Sequence, residues 1–388
     1  MSELLNGRWA ETKEALLEGL QGTKKSVMGV TLENTRKYLM ESPTAGATSA
    51  GNVATLNRVI LPVIRRVMPT VIANELVGVQ PMTGPVGQIH TLRVRYSDTS
   101  SGAGVVAGEE ALSPFKIAEA YSGNEASPAK AASTATLEGA AGKRMSIQIL
   151  KQTVEARTRK LSARWTFEAA QDAQAQQGID VEAEIMAALA QEITAEIDQE
   201  ILASLANLAG SAVQTYDQAA VSGTATFVGD EHAALAVQIN RVANLIAQRT
   251  RRGAGNWAVV SPFALTILQS ATTSAFARTT EGTFEAPTNT KFVGTLNNAM
   301  KVYVNSYAVD STDVLIGYKG GSESDAAAFY CPYIPLMSSG VVLDPSTFEP
   351  VVSFMTRYGY VELSNTASSL GNAADYLGKV AITAGNVK

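Results

Sequence analysis

The sequence predicts an α+β fold, and three observations carry that reading. One long stretch has helical periodicity, several short stretches alternate like strands, and the two kinds come in blocks. The helical stretch is residues 179–208. In it Val181, Ile185, Leu189, Ile193, Ile197, Ile201 and Leu205 fall at every fourth position. Asp180 is the expected N-cap and Gly210 the expected stop. About 29 residues at a rise of ~1.5 Å make a helix on the order of 43 Å long. A strict four-residue repeat drifts against ~3.6 residues per turn, so the apolar line winds around the axis and meets different neighbours. Glu182, Glu184, Glu192, Asp198 and Glu200 are expected to keep the remainder solvated.

The other elements follow in chain order. Residues 1–41 read as a charged amphipathic arm, with Leu4, Leu5, Trp9, Ala15, Leu16 and Leu20 at helical spacing. A second helical patch, residues 30–40, follows an expected break at Gly29. The arm serves either as a surface helix on its own domain or as a strap on another subunit. Residues 42–52 are small and breaker-rich, hence a linker. An apolar unit spans residues 53–96 and ends in strand-like alternation over 88–96. Residues 97–142 are dominated by glycine, alanine, serine and threonine. A loop that long needs a job outside its own domain, such as a two-stranded arm over a neighbour, or else it is plain disorder. Alternation resumes over 145–164.

Beyond the long helix, residues 211–230 read as a polar insert and 233–251 as a second helix with Leu235, Ile239, Val242 and Ile246 on one face. A buried strand is expected at 256–260, a short helix at 262–270 and a threonine-rich loop at 271–295. Strands are expected at 301–305, 313–318, 327–330, 351–356 and 360–363.

Bulk composition narrows function mainly by exclusion. A chain of 388 residues is too long for one simple core, so an elaborated domain or two to three sub-domains are expected. Charged residues are 17% and apolar ones 46%, a low charge fraction that suits a surface covered by neighbours. The net charge is −5 and no basic run stands out, which disfavours tight nucleic-acid binding. A single cysteine, Cys331, forbids an intrachain disulfide and fits a reducing compartment. No apolar run reaches the ~18 residues of a membrane span, and the N-terminus does not read as a secretory signal.

Candidate chemistry is sparse. With a single cysteine, Cys331, and with His90 and His232 in no recognisable ligand motif, a zinc site of the cysteine/histidine type is all but excluded. Cys331, between aromatic residues, reads as inert packing. Gly317-Tyr318-Lys319-Gly320-Gly321-Ser322 lacks the spacing of a phosphate loop and reads as a turn leaving a strand. Gly102-Ala103-Gly104 has no strand–turn–helix unit around it. Glu109-Glu110 lies in the low-complexity stretch, and Glu182/Glu184 favour a helix N-terminus. Arg249-Thr250-Arg251-Arg252-Gly253 reads as a helix C-terminus or as a contact with an acidic patch on a neighbour. Nothing here amounts to an active site, and no catalytic, cofactor-binding or metal residue is assigned.

Two stretches go beyond pattern. The first holds Arg65-Arg66, Pro69, Ile72-Ala73, Gly78-Val79-Gln80-Pro81-Met82, Pro85-Val86-Gly87 and Leu92-Arg93. The second runs Val314-Leu315-Ile316-Gly317-Tyr318-Lys319-Gly320, Asp325, Phe329-Tyr330-Cys331-Pro332-Tyr333-Ile334-Pro335-Leu336, Phe348-Glu349-Pro350 and Thr356-Arg357-Tyr358-Gly359. Between them lie Thr153-Val154-Glu155-Ala156-Arg157-Thr158-Arg159 and Glu168-Ala169-Ala170-Gln171-Asp172. In this order they resemble the major capsid (head) protein of T-even-type tailed bacteriophages, over residues 56–362.

The resemblance implies a Hong Kong 97-type capsid fold. Its parts are an N-terminal arm and linker (1–55), a peripheral domain (56–96, 145–210 with the spine helix, and a return at 346–365) and an extended loop (97–144). An axial domain (211–345) and a C-terminal tail (366–388) complete it. It further implies hexamers and pentamers that form an icosahedral head around double-stranded DNA. The protein would then reside in the virion capsid after assembly in the bacterial host cytoplasm. Decoration, scaffold and portal proteins are the implied partners, with weak non-specific DNA contact, no membrane and no cofactor. Candidate inter-subunit residues are Trp9, Arg65, Arg66, Glu109, Glu110, Arg251, Arg252 and Arg357. An encapsulin-like nanocompartment with protein cargo is the alternative. The chain is expected to lack the inserted domain of its T-even relatives. Leu16-Leu17-Glu18 and Leu39-Met40-Glu41 match those relatives' head-protease pattern only briefly, and the arm is expected to stay uncleaved.

Overall fold

The computed structural model describes residues 9, 13, 14, 16, 17, 20, 22–41, 71–111, 121–123, 131–139, 141–177, 180–221, 228–271, 276–278, 291–297, 299–308, 313–323, 325–347, 349–364 and 372–383. Helices and strands share them in an α+β arrangement. Two compact units divide the chain, one of residues 1–87, 154–203 and 329–361, the other of 88–153, 204–328 and 362–388.

The first unit holds helices α1 (Gly22–Glu41), α2 (Phe167–Gln177) and most of α3 (Val181–Ala209). Its sheet contains β1 (Gly78–Val79), β4 (Arg157–Arg164), β11 (Ala328–Ser338), β12 (Val342–Leu343) and β13 (Pro350–Glu362), in the order β1-β11-β13-β12 with β4 also paired to β13. β1 lies parallel to β11, Gly78 opposite Phe329, while β4 and β13 run antiparallel from Val351↔Arg164 to Tyr358↔Arg157. β13 alternates as a half-covered strand should: Val352, Phe354, Thr356 and Tyr358 are buried, while Val351, Ser353, Met355 and Arg357 are half-buried. The expected strands at 351–356 and 360–363 are one strand. It continues through Gly359, where a Cβ would come within 2.3 Å of Val154 Cγ1 and only glycine leaves room. β11 likewise runs well past the expected 327–330.

α3 meets its sequence reading closely. Asp180 Oδ1 accepts from Glu182 N at 3.1 Å, and Gly210 ends the helix at φ +66°. Leu189, Ile193, Ile197, Ile201 and Leu205 are buried. One expectation fails. Asp198 is fully buried and accepts from Ile72 N at 2.9 Å, because Met186, Ala190, Thr194, Asp198 and Leu202 form a second buried stripe.

The N-terminal segment packs on its own chain. Val27, Met28, Thr31 and Leu32 of α1 are buried, and Asn34 Nδ2 donates to Met82 O at 2.6 Å and Tyr333 O at 3.1 Å. Lys24 pairs with Glu75 at 2.9 Å. Residues 24–34 thus pack on the first unit of their own chain. Gly29 breaks nothing: α1 runs through it, with Leu17 and Lys13 of the preceding segment lying against it.

The second unit centres on a sheet of β5 (Gln214–Tyr216), β6 (Trp257–Val260), β7 (Phe276–Arg278), β8 (Lys291–Leu296), β9 (Met300–Val304), β10 (Val314–Gly317) and β14 (Leu377–Ile382), ordered β5-β14-β10-β6-β9-β8-β7. Helices α4 (Val228–Thr250) and α5 (Pro262–Ser270) pack on it through Leu235, Ile239, Val242, Ile246, Ile267 and Leu268. α5 starts as the sequence suggests, with Ser261 Oγ accepting from Ala264 N at 3.2 Å and Pro262 in the first turn. Residues 366–388 were expected as a tail, and over Leu377–Ile382 this is corrected: the segment is an interior strand between β5 and β10. Its short run is interrupted by Gly378, where a Cβ would meet Val242 Cγ1 at 2.4 Å. The glycine that weakens the strand pattern is what lets α4 approach.

The same unit carries a two-stranded ribbon, β2 (Val86–Tyr96) with β3 (Met145–Glu155). The low-complexity stretch at its end is ordered where described. Tyr96, Ala103, Val105, Ala111 and Tyr121 form a small core, and Tyr121 OH donates to Arg144 O at 2.7 Å.

Asp198→Ala is expected to leave the Ile72 N–H without its acceptor and to cost about 1–3 kcal/mol, read as a lower urea midpoint. Asp198→Asn keeps an acceptor oxygen and is expected to cost clearly less. Equal midpoints for both variants and the parent chain would show that this hydrogen bond does not matter.

Candidate functional site

The groups with the most chemical potential are placed as packing. Cys331 is buried, and burial pushes its thiol up to about 12. His90 is exposed on β2, whereas His232 is buried with Nδ1 2.5 Å from Ser270 Oγ, and burial lowers its pKa. The Gly317–Ser322 segment is a turn: Asn256 Nδ2 donates to Lys319 O at 2.6 Å, and Gly320 N to Asp325 O at 2.8 Å. Among the described residues no group of three or more histidine, cysteine or carboxylate side chains could hold a metal, and no helix is long and apolar enough to cross a membrane.

The most developed polar cluster lies in the first unit, around Arg159 of β4. Its Nη1 is 2.6 Å from Glu196 Oε2 and its Nη2 2.5 Å from Glu200 Oε2, while Nε donates to Tyr358 OH at 2.7 Å. Tyr358 OH in turn donates to Glu200. One planar fork thus joins β4, α3 and β13. Burial alone would raise the Glu200 carboxyl, but the hydrogen bonds from Arg159 and Tyr358 and the nearby charges of Arg159 and Arg157 hold it below its ordinary 4.5. Sequence patterning missed this cluster. Its available signal was Glu196 and Glu200 one turn apart on the long helix and a basic residue in the 145–164 alternation.

The sequence-selected contact residues are dispersed. Trp9 is half-buried, and its Nε1 donates to Glu33 Oε2 at 3.4 Å. Arg65 and Arg66 lie outside the described residues. Glu109 and Glu110 sit by the small core at the ribbon end, where Glu109 Oε2 accepts from Val106 N at 3.1 Å and the Glu110 backbone forms an isolated antiparallel β-bridge with that of Arg95. Arg251 is exposed at φ 48°, just past the end of α4. Arg252 finds its acidic partner within its own chain, Asp325 at 2.5 Å. Arg357 places its guanidinium 5.4 Å from the centre of the Tyr333 ring. Large exposed apolar side chains instead gather on β3 (Met145, Ile147, Ile149) and around β12 (Val341, Val342, Leu343).

A family model described as "Major capsid protein Gp23" matches residues 53–141 and 127–382. The chain belongs to the Gp23 major capsid protein family. The major capsid protein of Vibrio phage KVP40 is 30% identical over 429 residues, spanning 85% of this chain and 81% of the relative. That of Enterobacteria phage T4 is 30% identical over 407 residues, spanning 81% and 76%. The solved capsid of Myoviridae phage XM1 covers 79% of this chain and 89% of its own at 10% identity and a TM-score of 0.44, too loose a likeness to add weight. As a major capsid protein, the chain is a structural subunit of a tailed-phage head, and its place is the virion capsid. Membership in this family favours the phage head over the encapsulin-like alternative.

For such a subunit, the Arg159 cluster is an internal brace. Glu200, held below 4.5, adds stability that is fully present above pH 4.5 and lost as pH falls through its lower folded value. Arg159→Met is expected to flatten that acid limb in a pH series of urea midpoints. With the side chains of both partners about one-third exposed, the effect is expected to stay below about 1 kcal/mol; an unchanged acid limb would remove Arg159 as its cause. A second expectation concerns Cys331. A thiol reagent near neutral pH should titrate no cysteine in the folded chain and one after denaturation, and fast reaction in the folded state would contradict the burial.

Proposed function

We propose that this capsid protein self-assembles as hexamers and pentamers into a closed icosahedral shell around double-stranded DNA, with no catalytic role. The observation that carries the reading is the ribbon of β2 and β3, which exposes Met145, Ile147 and Ile149 where an isolated protein would place polar residues. A two-stranded ribbon has no second layer of its own, and a neighbouring copy supplies one.

In this reading the fold is Hong Kong 97-type. The ribbon and residues 97–144 are the extended loop, the unit containing α3 and β13 is the peripheral domain, and the seven-stranded sheet with α4 and α5 is the axial domain. Residues 329–345 then belong with the peripheral domain, since they cluster with residues 154–203. The candidate contacts Trp9, Arg65, Arg66, Glu109, Glu110, Arg251 and Arg357 remain proposals. Arg252 is a weaker one, because Asp325 already engages it. The net charge of −5 suits a container whose lining does not grip its genome, so DNA contact is weak and non-specific. Decoration, scaffold and portal proteins are further proposed partners.

Electron microscopy of particles formed by the full chain tests the proposal. Closed shells are expected, and replacing residues 97–144 by a short turn is expected to abolish them while subunits stay soluble. Discrete monomers of the intact chain under every assembly condition would overturn the reading.

A further inference from the structure

We propose that His232 is an acid-sensitive latch: neutral, it fastens the start of α4 to the end of α5, and protonated, it lets the two helix ends part. The inference concerns the second unit alone and does not rest on the shell reading.

His232, Leu235, Ile239, Val242 and Ile246 are spaced three and four apart, so they share one face of α4, and all five are buried. The imidazole thus heads a stripe that is otherwise aliphatic. One of its nitrogens is engaged and the other is not. Nδ1 lies 2.5 Å from Ser270 Oγ, on the last residue of α5, whereas Nε2 is buried with no hydrogen-bond partner among the described residues. Ser270 decides which nitrogen carries the proton. Its hydroxyl donates to Ile267 O at 3.0 Å, so its oxygen is left to accept and Nδ1 is the donor. The neutral ring then keeps a bare lone pair on Nε2, the milder of the two orphans that a buried site can hold. A second proton has only Nε2 to bind. There it makes a buried, charged N–H without an acceptor.

The neighbouring charges do not remove that penalty. Residues 214–221, 228–240 and 262–270 contain no lysine or arginine, and their acidic groups are Asp217, Asp230 and Glu231. Glu231 is turned to other work: its Oε2 accepts from Gln218 Nε2 at 2.6 Å, and its backbone oxygen accepts from Tyr216 OH at 3.2 Å. β10 and β14 meet α4 through Val314, Ile316, Gly378, Val380 and Ile382, with Lys379 on the opposite side of β14. The Ala373–Tyr376 turn lies by the far end of α4, where Tyr376 acts on Arg252. Burial lowers the imidazole from its ordinary 6.5, and the pull of Glu231 toward the charged form does not offset it. A folded value below the released one gives stability that is fully present above about pH 6.5 and lost as pH falls through the folded value. Other shifted carboxyls do not mimic this. Glu200 and Asp344, lowered from 4.5 and 3.8, act only below those values, and Glu362, raised by burial, works in the opposite sense.

Exchange of histidine C2 hydrogens and of backbone amides, both read by mass spectrometry on the full chain, tests the latch. His232 is expected to titrate below 6.5 in the folded chain, with exposed His90 as the internal reference. From about pH 7.5 to about pH 5, amide protection at the start of α4 and the end of α5, corrected for intrinsic exchange, is expected to fall. The ceiling is about thirty-fold, set by a group that titrates near 6.5 once released. His232→Asn puts an amide N–H near the place of Nδ1 and takes no second proton, so its protection is expected to hold within about two-fold over the same range. His232 titrating at or above 6.5, or an H232N chain that loses protection as the parent does, would overturn the latch. If H232N does not fold, the parent chain decides alone: protection of both helix ends that holds down to about pH 5 overturns it.

Discussion

The Arg159 guanidinium holds together strands and a helix that the chain supplies from distant places. Its partners Glu196 and Glu200 lie 37 and 41 residues on, and Tyr358 lies 199 residues on. A unit built from residues 1–87, 154–203 and 329–361 cannot be closed by local contacts. Loop closure costs grow only slowly with length, but long-range contacts must be specific to select one register. The β4–β13 ladder supplies register, and the Arg159 fork fixes that ladder against the long helix. Asp198 and Asn34 extend the same logic by accepting from or donating to backbone groups of other segments. Each is a polar group that earlier or later stretches need in order to bury their own backbone.

Much of this was legible from periodicity, and the failures have physical causes. The long helix could be read to its caps because a four-residue apolar repeat, an Asp and a Gly each act locally. Asp198 misled because residue type suggested solvent, while its position on a buried stripe depended on a second covering layer. The full length of β11 was hidden by Pro332 and Pro335, residues that count against a strand in sequence. β13 was split at Gly359 and β14 was missed around Gly378, two glycines whose role is close packing by Val154 and Val242. Arg159 itself looked like one polar residue among several in an alternating strand. Alternation tells which side a residue faces; it carries nothing about a partner 199 residues away. The family, by contrast, was visible in motifs such as Gly78-Val79-Gln80-Pro81-Met82, because a resemblance does not require knowing what the residues touch.

The distribution of apolar side chains separates self-sufficient parts from dependent ones. The seven-stranded sheet and its two helices bury a continuous core, with Leu235, Ile239, Ile246, Val304, Ile316 and Val380 all fully covered. The ribbon has no such layer. What order it has at its far end comes from a small knot, with Tyr96 and Tyr121 rings 4.6 Å apart and Lys143 over the Tyr121 ring at 5.5 Å. Ser97 N and Tyr121 OH both donate to Arg144 O, which pins the end of one strand to the start of the other. The register is thereby fixed before any neighbour arrives, and the exposed Ile147 and Ile149 are presented in a set geometry.

Presentation of that kind changes the energetics of assembly. A floppy segment that orders on docking loses conformational freedom at the moment of contact, and the net gain shrinks accordingly. A ribbon already closed by a knot has met most of that cost within its own subunit. Small apolar contacts can then accumulate across a shell although none suffices alone. The low charge fraction of 17% belongs to the same argument, since surfaces meant to be covered have less need of solvation. A subunit designed to remain free would distribute these features the other way, with a polar ribbon and a higher share of charge.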